Sequence, residues 1–349
     1  AAKDAAARPA SIVGPPPSAP PSPRAVVTAA RIMLPDDTNP AGNVHGGSIL
    51  RFMTDNGGML AAQRYLTSAG HGKAGVALVG ISQMDFWAPM FVGDLAEVEA
   101  QVTYVGSSSI EVTVKVYADN LQGRRRLTNE ARLWYAAVED LKGVTRANLS
   151  SARLVQNLPQ PPLADEEAEH RYQEQKKIRA ASDAKLHAVE ELDLEALNWT
   201  AELSQVMLPS DCYTNAFVQG GIILKLMDNA AGICAYRHCR SNVVTASLES
   251  LSFNRSIFNG NLVTVRARST FASTKSLEVE VLVQAEDLLS NKRWVAVHAF
   301  LVFVALDDKL RPKSVPPLPE PSTELEERER EAARERYLDR KAKLKKPSK

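Results

Sequence analysis

The sequence predicts an α+β protein built from two tandem copies of one domain. Glycine pairs at 46–47 and 220–221 are each followed by an apolar run of helical length, so each pair predicts a loop that leads into a buried helix. After the first helix come runs in which apolar residues alternate, a pattern typical of strands with one buried face. We therefore expect each copy to contain a helix followed by antiparallel strands.

The duplication is visible in two blocks that recur in the same order. MLPDD at 33–37 matches MLPSD at 207–211, an offset of 174 residues. SSSIEVTVKV at 107–116 matches TKSLEVEVLV at 274–283, an offset of 167 residues. The difference between the two offsets predicts a seven-residue insertion in the first copy, between the helix and the strands. Strands of the first copy are predicted by alternation at 98–104 and 110–116 and by a nearly continuous apolar run at 131–138.

Changes in composition divide the chain into five segments. A proline-rich start, a charged stretch with few large apolar residues and a Glu-, Arg- and Lys-rich end separate the two copies from their surroundings. The predicted segments are a disordered Pro- and Ala-rich leader at 1–28, a first domain at 29–150, a linker with a charged helix at 151–195, a second domain at 196–315 and a charged C-terminal helix or tail at 316–349.

Composition argues against several classes of protein. The 42 Lys and Arg against 41 Asp and Glu give no sign of a nucleic-acid partner. Three cysteines without paired spacing argue against a disulfide framework and a zinc site, and they favour a reducing compartment. No apolar run reaches the ~18–20 residues of a membrane span. We expect a cytoplasmic protein; a mitochondrial transit peptide is the alternative, but prolines would break its helix.

The sequence AGNVHGG at 41–47, the KLMDNAAGI run at 225–233 and the LTNEARLWY run at 127–135 together carry a family resemblance. They resemble the tandem hotdog-fold acyl-CoA thioesterases, in particular the cytosolic, brain-type long-chain acyl-CoA hydrolases, over residues ~29–310. The resemblance implies two tandem hotdog domains, each an antiparallel sheet wrapped around a central helix. It also implies that the two domains pair like a dimer, with the active site between their helices.

Aligning the glycine pairs shows complementary divergence of the copies. Asn43 aligns with Phe217, His45 with Gln219, and Thr54 with Asp228. The first copy keeps an amide before the glycines and lacks the carboxylate, whereas the second keeps the carboxylate and lacks the amide. If the helices face each other as the resemblance implies, Asn43 and Asp228 form one complete site and the other site is inactive.

These residue types suit hydrolysis of a thioester. The N–H groups of Gly46 and Gly47, at a helix N-terminus, suit the oxyanion that develops on the carbonyl. Asp228 is the expected general base, with a nucleophilic role as the alternative. Asn43 would orient the carbonyl or the water, and His45 could bond the thioester or orient its neighbours.

Other residues near the motifs favour plainer interpretations. Asp55 follows Thr54 by one residue, about 100° around a helix, and we expect it to be a cap or a surface partner. Asn229 is expected to be structural. Lys275, in the TKSLE turn, is a candidate contact for a phosphate of CoA, with simple exposure to solvent as the alternative.

The predicted function is hydrolysis of fatty acyl-CoA, with long-chain acyl-CoA as the expected substrate, at the composite site, without metal or organic cofactor. A hydratase on the same fold is disfavoured because no motif supplies its histidine and carboxylate pair. The alternative is an acyl-CoA-binding or sensing protein in which both sites have decayed. The resemblance also implies a homo-oligomer, a trimer of two-domain chains.

Overall fold

The structure, a computed structural model, describes residues 26–40, 42–144, 152–161, 166–191, 194, 197–213 and 217–344. Two copies of one architecture follow each other along the chain, and each is an antiparallel sheet around a helix. The predicted tandem hotdog arrangement is confirmed. Most of the predicted leader lies outside the described residues, and the first strand begins at Val27, two residues before the predicted start of the first domain.

The first copy begins with a strand and then forms its central helix in three parts. These are β1 (Val27–Ile32), α1 (Gly46–Arg51), a π-helical segment (Phe52–Gly58) and α2 (Met59–Ser68). The strands β2 (Gly75–Ile81), β3 (Met84–Asp85), β4 (Leu95–Val105), β5 (Ser109–Asp119) and β6 (Arg125–Val138) follow. The three strands predicted from the sequence therefore correspond to β4, β5 and β6.

A long helix, α3 (Glu166–Glu190), separates the copies. The second copy contains β7 (Ala201–Val206), α4 (Gly220–Cys239), β8 (Val243–Leu248), β9 (Leu251–Ser252), β10 (Leu262–Ala272), β11 (Ser276–Asp287) and β12 (Lys292–Ala305). The last described helix is α5 (Glu324–Leu344). None of the described helices is long and apolar enough to cross a membrane.

The two sheets exchange their edge strands. The strand order is β1-β4-β5-β6-β2-β9 in one sheet and β3-β8-β12-β11-β10-β7 in the other. Gly80 of β2 therefore lies opposite Ser252 of β9, and Met84 of β3 lies opposite Leu248 of β8. Each sheet of six strands thus takes its sixth strand from the other copy, which places the two central helices face to face.

One continuous hydrophobic cluster fills both copies and the space between them. In β4 every second residue is buried, as the sequence pattern predicts for a strand with one face on the core. The buried face of α4, including Met227 and Ala231, packs against β10 and β11. Transfer of this apolar surface from water, at about 25 cal/mol per Å², is the main force that holds the copies together.

The seven-residue insertion in the first copy is spread over three places. The helical region Gly46–Ser68 is three residues longer than α4, the loop after it is three residues longer than the loop after α4, and β2 is one residue longer than β8. The longer helical region includes the π-helical segment. A π-helix bonds residue i to i+5 and so adds about one residue per turn, which moves each following side chain about one position around the axis.

Both charged helices are surface helices, as predicted, but one face of each is bound to a sheet through buried charges. Arg171 of α3 donates to Glu111 of β5 with an Nη2–Oε1 distance of 3.0 Å. Arg336 of α5 donates to Glu278 of β11 at 2.7 Å, and Arg340 also pairs with Glu278 at 2.7 Å. Glu111 and Glu278 are buried and occupy the same position in the two copies.

Candidate functional site

The N-terminus of α1 packs directly against α4. The N–H of Gly47 donates a hydrogen bond of 2.6 Å to Oδ2 of Asp228, which joins the two copies. A Cβ atom on Gly47 would lie 2.9 Å from Cα of Lys225, and one on Gly46 would lie 2.6 Å from Oγ1 of Thr245. Only glycine therefore allows the helix N-terminus to approach the carboxylate this closely.

Asp228 is fully buried and has three partners. Besides the Gly47 N–H, Oγ1 of Thr245 donates to its Oδ1 at 2.7 Å, and Nδ1 of His45 lies 2.5 Å from its Oδ2. His45 is the N-cap residue of α1, so its backbone places the ring at the start of the helix. The carboxylate of the second copy is thus surrounded by donors, two of them from the first copy.

The pKa values of the two groups indicate an ion pair. Burial alone would raise the pKa of Asp228, but the charge of His45 and the hydrogen bonds from His45, Thr245 and Gly47 lower it below 3.8. Burial alone would lower the pKa of His45, but the charge of Asp228 and their hydrogen bond raise it above 6.5. A protonated Nδ1 cannot accept a hydrogen bond, so the Gly47 N–H, 3.2 Å from that atom, donates to the carboxylate instead.

Asn43 lies two residues before His45 in the same buried loop. Its backbone N–H donates to Oδ1 of Asn39 at 3.2 Å, and its own Oδ1 is buried without a hydrogen-bond partner among the described residues. A buried acceptor without a partner is costly, which suits a place for substrate or water. The described part of the chain shows no hydrogen bond between Asn43 and Asp228, so their joint role stays a prediction.

Lys275 lies in the exposed turn between β10 and β11. Its backbone N–H donates to Oγ of Ser273 at 3.3 Å. In the described residues its side chain makes no contact with the other candidate residues. Its assignment to a phosphate of CoA stays a prediction.

The pseudo-equivalent contact, between the N-terminus of α4 and the first helix, has a different set of side chains. A Cβ on Gly220 would lie 2.5 Å from Leu78, where the first contact has Thr245. Oγ1 of Thr54 donates to the backbone carbonyl of Leu50 at 2.9 Å, as a buried structural residue would. The sequence alignment of Thr54 with Asp228 is thus not matched by an equivalent interaction.

Asp55 carries the carboxylate at this second contact. The π-helical segment turns it toward α4, where it accepts a hydrogen bond from the N–H of Gly221, and a Cβ on Gly221 would lie 2.5 Å from its Oδ1. The expected surface position is wrong, because only 13% of this side chain is exposed. The expected role as a cap agrees better with the structure, since Asp55 accepts a hydrogen bond from the first turn of α4. The expected rotation of about 100° between Thr54 and Asp55 holds for an α-helix. In the π-helical segment Asp55 takes the direction that Thr54 would have in an α-helix.

Asp55 differs from Asp228 in its electrostatics. Burial raises its pKa to about 6, although the charge of Arg51 and hydrogen bonds from Thr54 and Gly221 act in the opposite direction. Nε of Arg51 is 3.6 Å from Oδ2, and Oδ2 accepts no hydrogen bond from the described residues. No imidazole faces it, because Gln219 aligns with His45.

Two features of the site were missed from the sequence. The pairing of His45 with Asp228 was not predicted, although His45 was named as an orienting residue. Thr245 was not named at all. Its signal is a polar residue within the apolar strand VVTASL, at a position where the offset of 167 places Leu78 in the first copy.

Comparisons with known proteins identify the family to which the chain is similar. A family model described as the thioesterase superfamily matches residues 41–123 and 215–290, one segment in each copy. The chain is 39% identical to the cytosolic acyl coenzyme A thioester hydrolase of Mus musculus over 331 residues, which covers 91% of this chain and 84% of the mouse protein. It is 39% identical to the Homo sapiens protein of the same name over 349 residues, 96% of this chain and 88% of the human one.

A solved structure shows the same fold at low sequence identity. The crystal structure of a protein described as an oleoyl thioesterase, from Lactobacillus plantarum, superposes with a TM-score of 0.53 at 8% identity. The match covers 82% of this chain and 99% of that chain. The fold that the two copies form together is therefore also seen in a solved structure.

Proposed function

The chain belongs to the family of acyl-CoA thioester hydrolases, and we propose that it hydrolyses long-chain fatty acyl-CoA to a free fatty acid and CoA at a composite site between the two copies. The observation that carries the proposal is the meeting of Gly47 and His45 of the first copy with Asp228 of the second. A helix N-terminus next to a carboxylate supplies both an oxyanion donor and a base. Neither copy has both groups at this place.

Substrate binding would change the state of the base. In the structure, Asp228 occupies the Gly47 N–H that a thioester carbonyl would use. When the carbonyl oxygen accepts that hydrogen bond, the carboxylate loses one of the donors that keep its pKa low. A carboxylate with fewer donors is a stronger base, so the bound substrate itself would prepare Asp228 to take a proton from water.

The reaction then proceeds in two steps. Asp228 removes a proton from a water molecule while the water oxygen forms a bond to the thioester carbon, and Gly46 and Gly47 stabilise the oxyanion. The C–S bond breaks, the carbonyl re-forms, and the CoA thiolate takes the proton back from Asp228. Oδ1 of Asn43, which has no hydrogen-bond partner among the described residues, is a suitable acceptor for the attacking water. The alternative is attack by Asp228 itself, which forms a mixed anhydride and expels the CoA thiolate. When water then attacks the aspartyl carbon of that anhydride, a single turnover in ¹⁸O water labels the enzyme carboxylate, which direct attack by water does not.

Release of CoA thiol from acyl-CoA is the test. We expect release from long-chain substrates, with no added metal or cofactor and in the presence of a chelator. Tight binding of acyl-CoA without release would favour a sensing protein and would overturn the proposal. Faster release from short-chain than from long-chain substrates at saturation would overturn the chain-length part alone.

We further propose a cytoplasmic location and a homo-oligomer made of three two-domain chains. The names of the mouse and human relatives, which describe them as cytosolic, support the location. The trimer is expected from the family resemblance. Light scattering in solution should give three times the mass of one chain, and fractionation of cells should place the protein with cytosolic markers.

A further inference from the structure

The second contact between the copies opens into a cavity. The N-terminus of α4 and the π-helical segment enclose about 240 Å³ there. Asp55 and Gly220 line it together with mostly apolar side chains, among them Met59, Val76, Leu78, Phe217, Ile223 and Phe253. An apolar cavity with a few polar groups at one end is the usual form of a site for a small ligand.

This inner cavity continues toward the surface of α3. A second groove of about 520 Å³ shares five lining residues with it, including Arg179 and Asn254, so the two spaces adjoin at those residues. The outer groove is lined by the rings of Tyr172 and Trp134 and by the hydroxyl-rich turn 107–109. The inner cavity and the outer groove, here called the second cleft, suit one elongated ligand.

The outer groove carries two cations. Lys176 and Arg179 are three residues apart on α3, hence on one face of the helix, and both line the groove. Asp183 also lines it, but within the described residues neither cation lies within 4 Å of a carboxylate. Nζ of Lys176 is 5.5 Å from the ring centre of Tyr172. Exposed cations beside aromatic rings can bind phosphates and a flat nucleobase.

We propose that the second cleft binds a second molecule of CoA thioester, with its acyl-pantetheine arm in the inner cavity and its phosphates at Lys176 and Arg179. The proposal rests on the proposed function, because that function supplies the class of ligand. It adds a binding site that is separate from the site of Asp228. The apolar inner cavity adjoins a groove with cations and aromatic rings, as the acyl-pantetheine arm of a CoA thioester adjoins its phosphates and nucleobase.

The second cleft holds its ligand without hydrolysing it. It retains a helix N-terminus and a carboxylate, Asp55. Phe217 and Gln219 stand at the positions aligned with Asn43 and His45, and Leu78 stands where Thr245 contacts the first glycine pair. The cleft thus has no imidazole beside its carboxylate, and apolar side chains take the places of the Asn43 amide and the Thr245 hydroxyl.

The test counts binding sites with an S-alkyl thioether analogue of long-chain acyl-CoA, which cannot be hydrolysed. Equilibrium dialysis should give two molecules per chain for the native protein. The double variant Lys176→Ala, Arg179→Ala should weaken the second site by about 100-fold, the loss expected for two charge-assisted contacts. Lys341→Ala is the matched control, because Lys341 has the same spacing from Tyr337 on α5, 5.7 Å from its ring centre. It should keep both sites.

The number of sites separates the two proposals. No binding by the native protein would refute the proposed function as well. One site in the native protein would refute the second cleft alone, as would two sites of native affinity in the double variant. A further outcome is hydrolysis that persists in Asp228→Asn and disappears in the triple variant that combines Asp228→Asn with Lys176→Ala and Arg179→Ala. That result would show turnover in the second cleft and would overturn its non-hydrolytic role.

Discussion

Replacement of Asp228 by Asn separates the chemistry from the fold. The change keeps the shape of the side chain and removes the base, so kcat for thiol release should fall by about 10²–10⁴-fold. That loss equals about 3–5 kcal/mol of activation free energy. The free energy of unfolding should fall by only about 1–3 kcal/mol, since one of the donors from Gly47 and Thr245 then faces an NH₂ group. His45 would lose its partner and become neutral, which avoids a buried unpaired charge.

Thiol release at saturating long-chain acyl-CoA, together with binding of the thioether analogue, measures the effect. Glu280→Gln is the matched control. Glu280 is another largely buried carboxylate that pairs with an imidazole, since its Oε1 lies 2.6 Å from Nε2 of His298. It lies on the other side of the sheet, where its partner Arg268 also contacts α5. It should lose stability and keep its kcat. Asp228→Asn with more than about a tenth of the native kcat would refute the assignment of the base, as would an equal loss in Glu280→Gln.

Gly47→Ala should cost about 1–3 kcal/mol of stability and about 10²-fold in kcat, because its Cβ would lie 2.9 Å from the backbone of α4. Gly72→Ala is the control, since no atom lies within 4 Å of its new Cβ. In denaturation and activity assays this control should change neither stability nor kcat. Burial raises the pKa of Asp55 from 3.8 to about 6, so the folded state holds this proton more tightly than the unfolded state does. As pH rises from about 4 to above 6, ionisation of Asp55 therefore lowers the free energy of unfolding by up to about 3 kcal/mol. Asp55→Asn should therefore unfold at a higher temperature than the native protein at pH 8 and at a similar one at pH 3; equal differences at both would contradict this. Arg336→Ala should lower the free energy of unfolding, measured by urea titration, by about 1–3 kcal/mol and keep kcat, since Arg340 still pairs with the buried Glu278. Arg328→Ala breaks only an exposed pair, so it should lose less than about 1 kcal/mol in the same titration.

The fold was largely predictable because its signals are local and repeated. Alternation in β4 and β5 reports one buried face, and two matching blocks report the duplication, so helix, strands and copy number all follow from the sequence. The exchange of β3 and β9 between the sheets has no such signal. Strands of two residues are too short for any period, and their partners belong to the other copy.

The site was predictable where the chemistry lies next to the glycine pairs. The sequence placed His45, Gly46 and Gly47 at a helix N-terminus, and the structure shows them there. Their contact with Asp228 needed the family resemblance, because nothing in either motif specifies which copy it faces. Asp55 was misjudged because its direction depends on a π-helix, and no pattern of residues in the sequence marked one.

The charged helices show a related limit. Arg171 and Arg336 are in sequences that resemble solvated helices, yet each reaches a glutamate buried in the sheet. A long arginine side chain can lie on a surface and still bring its guanidinium group to a buried acid. Hydropathy alone does not distinguish this arrangement from full exposure.

The covalent link between the copies has a consequence for how the protein could evolve. In a dimer of identical subunits, one mutation alters both symmetry-related contacts, because one codon specifies both. Here the gene specifies positions 55 and 228 separately, so a change at one contact leaves the other as it was. Duplication followed by fusion thus lets the two contacts diverge independently, while the shared core keeps both in place.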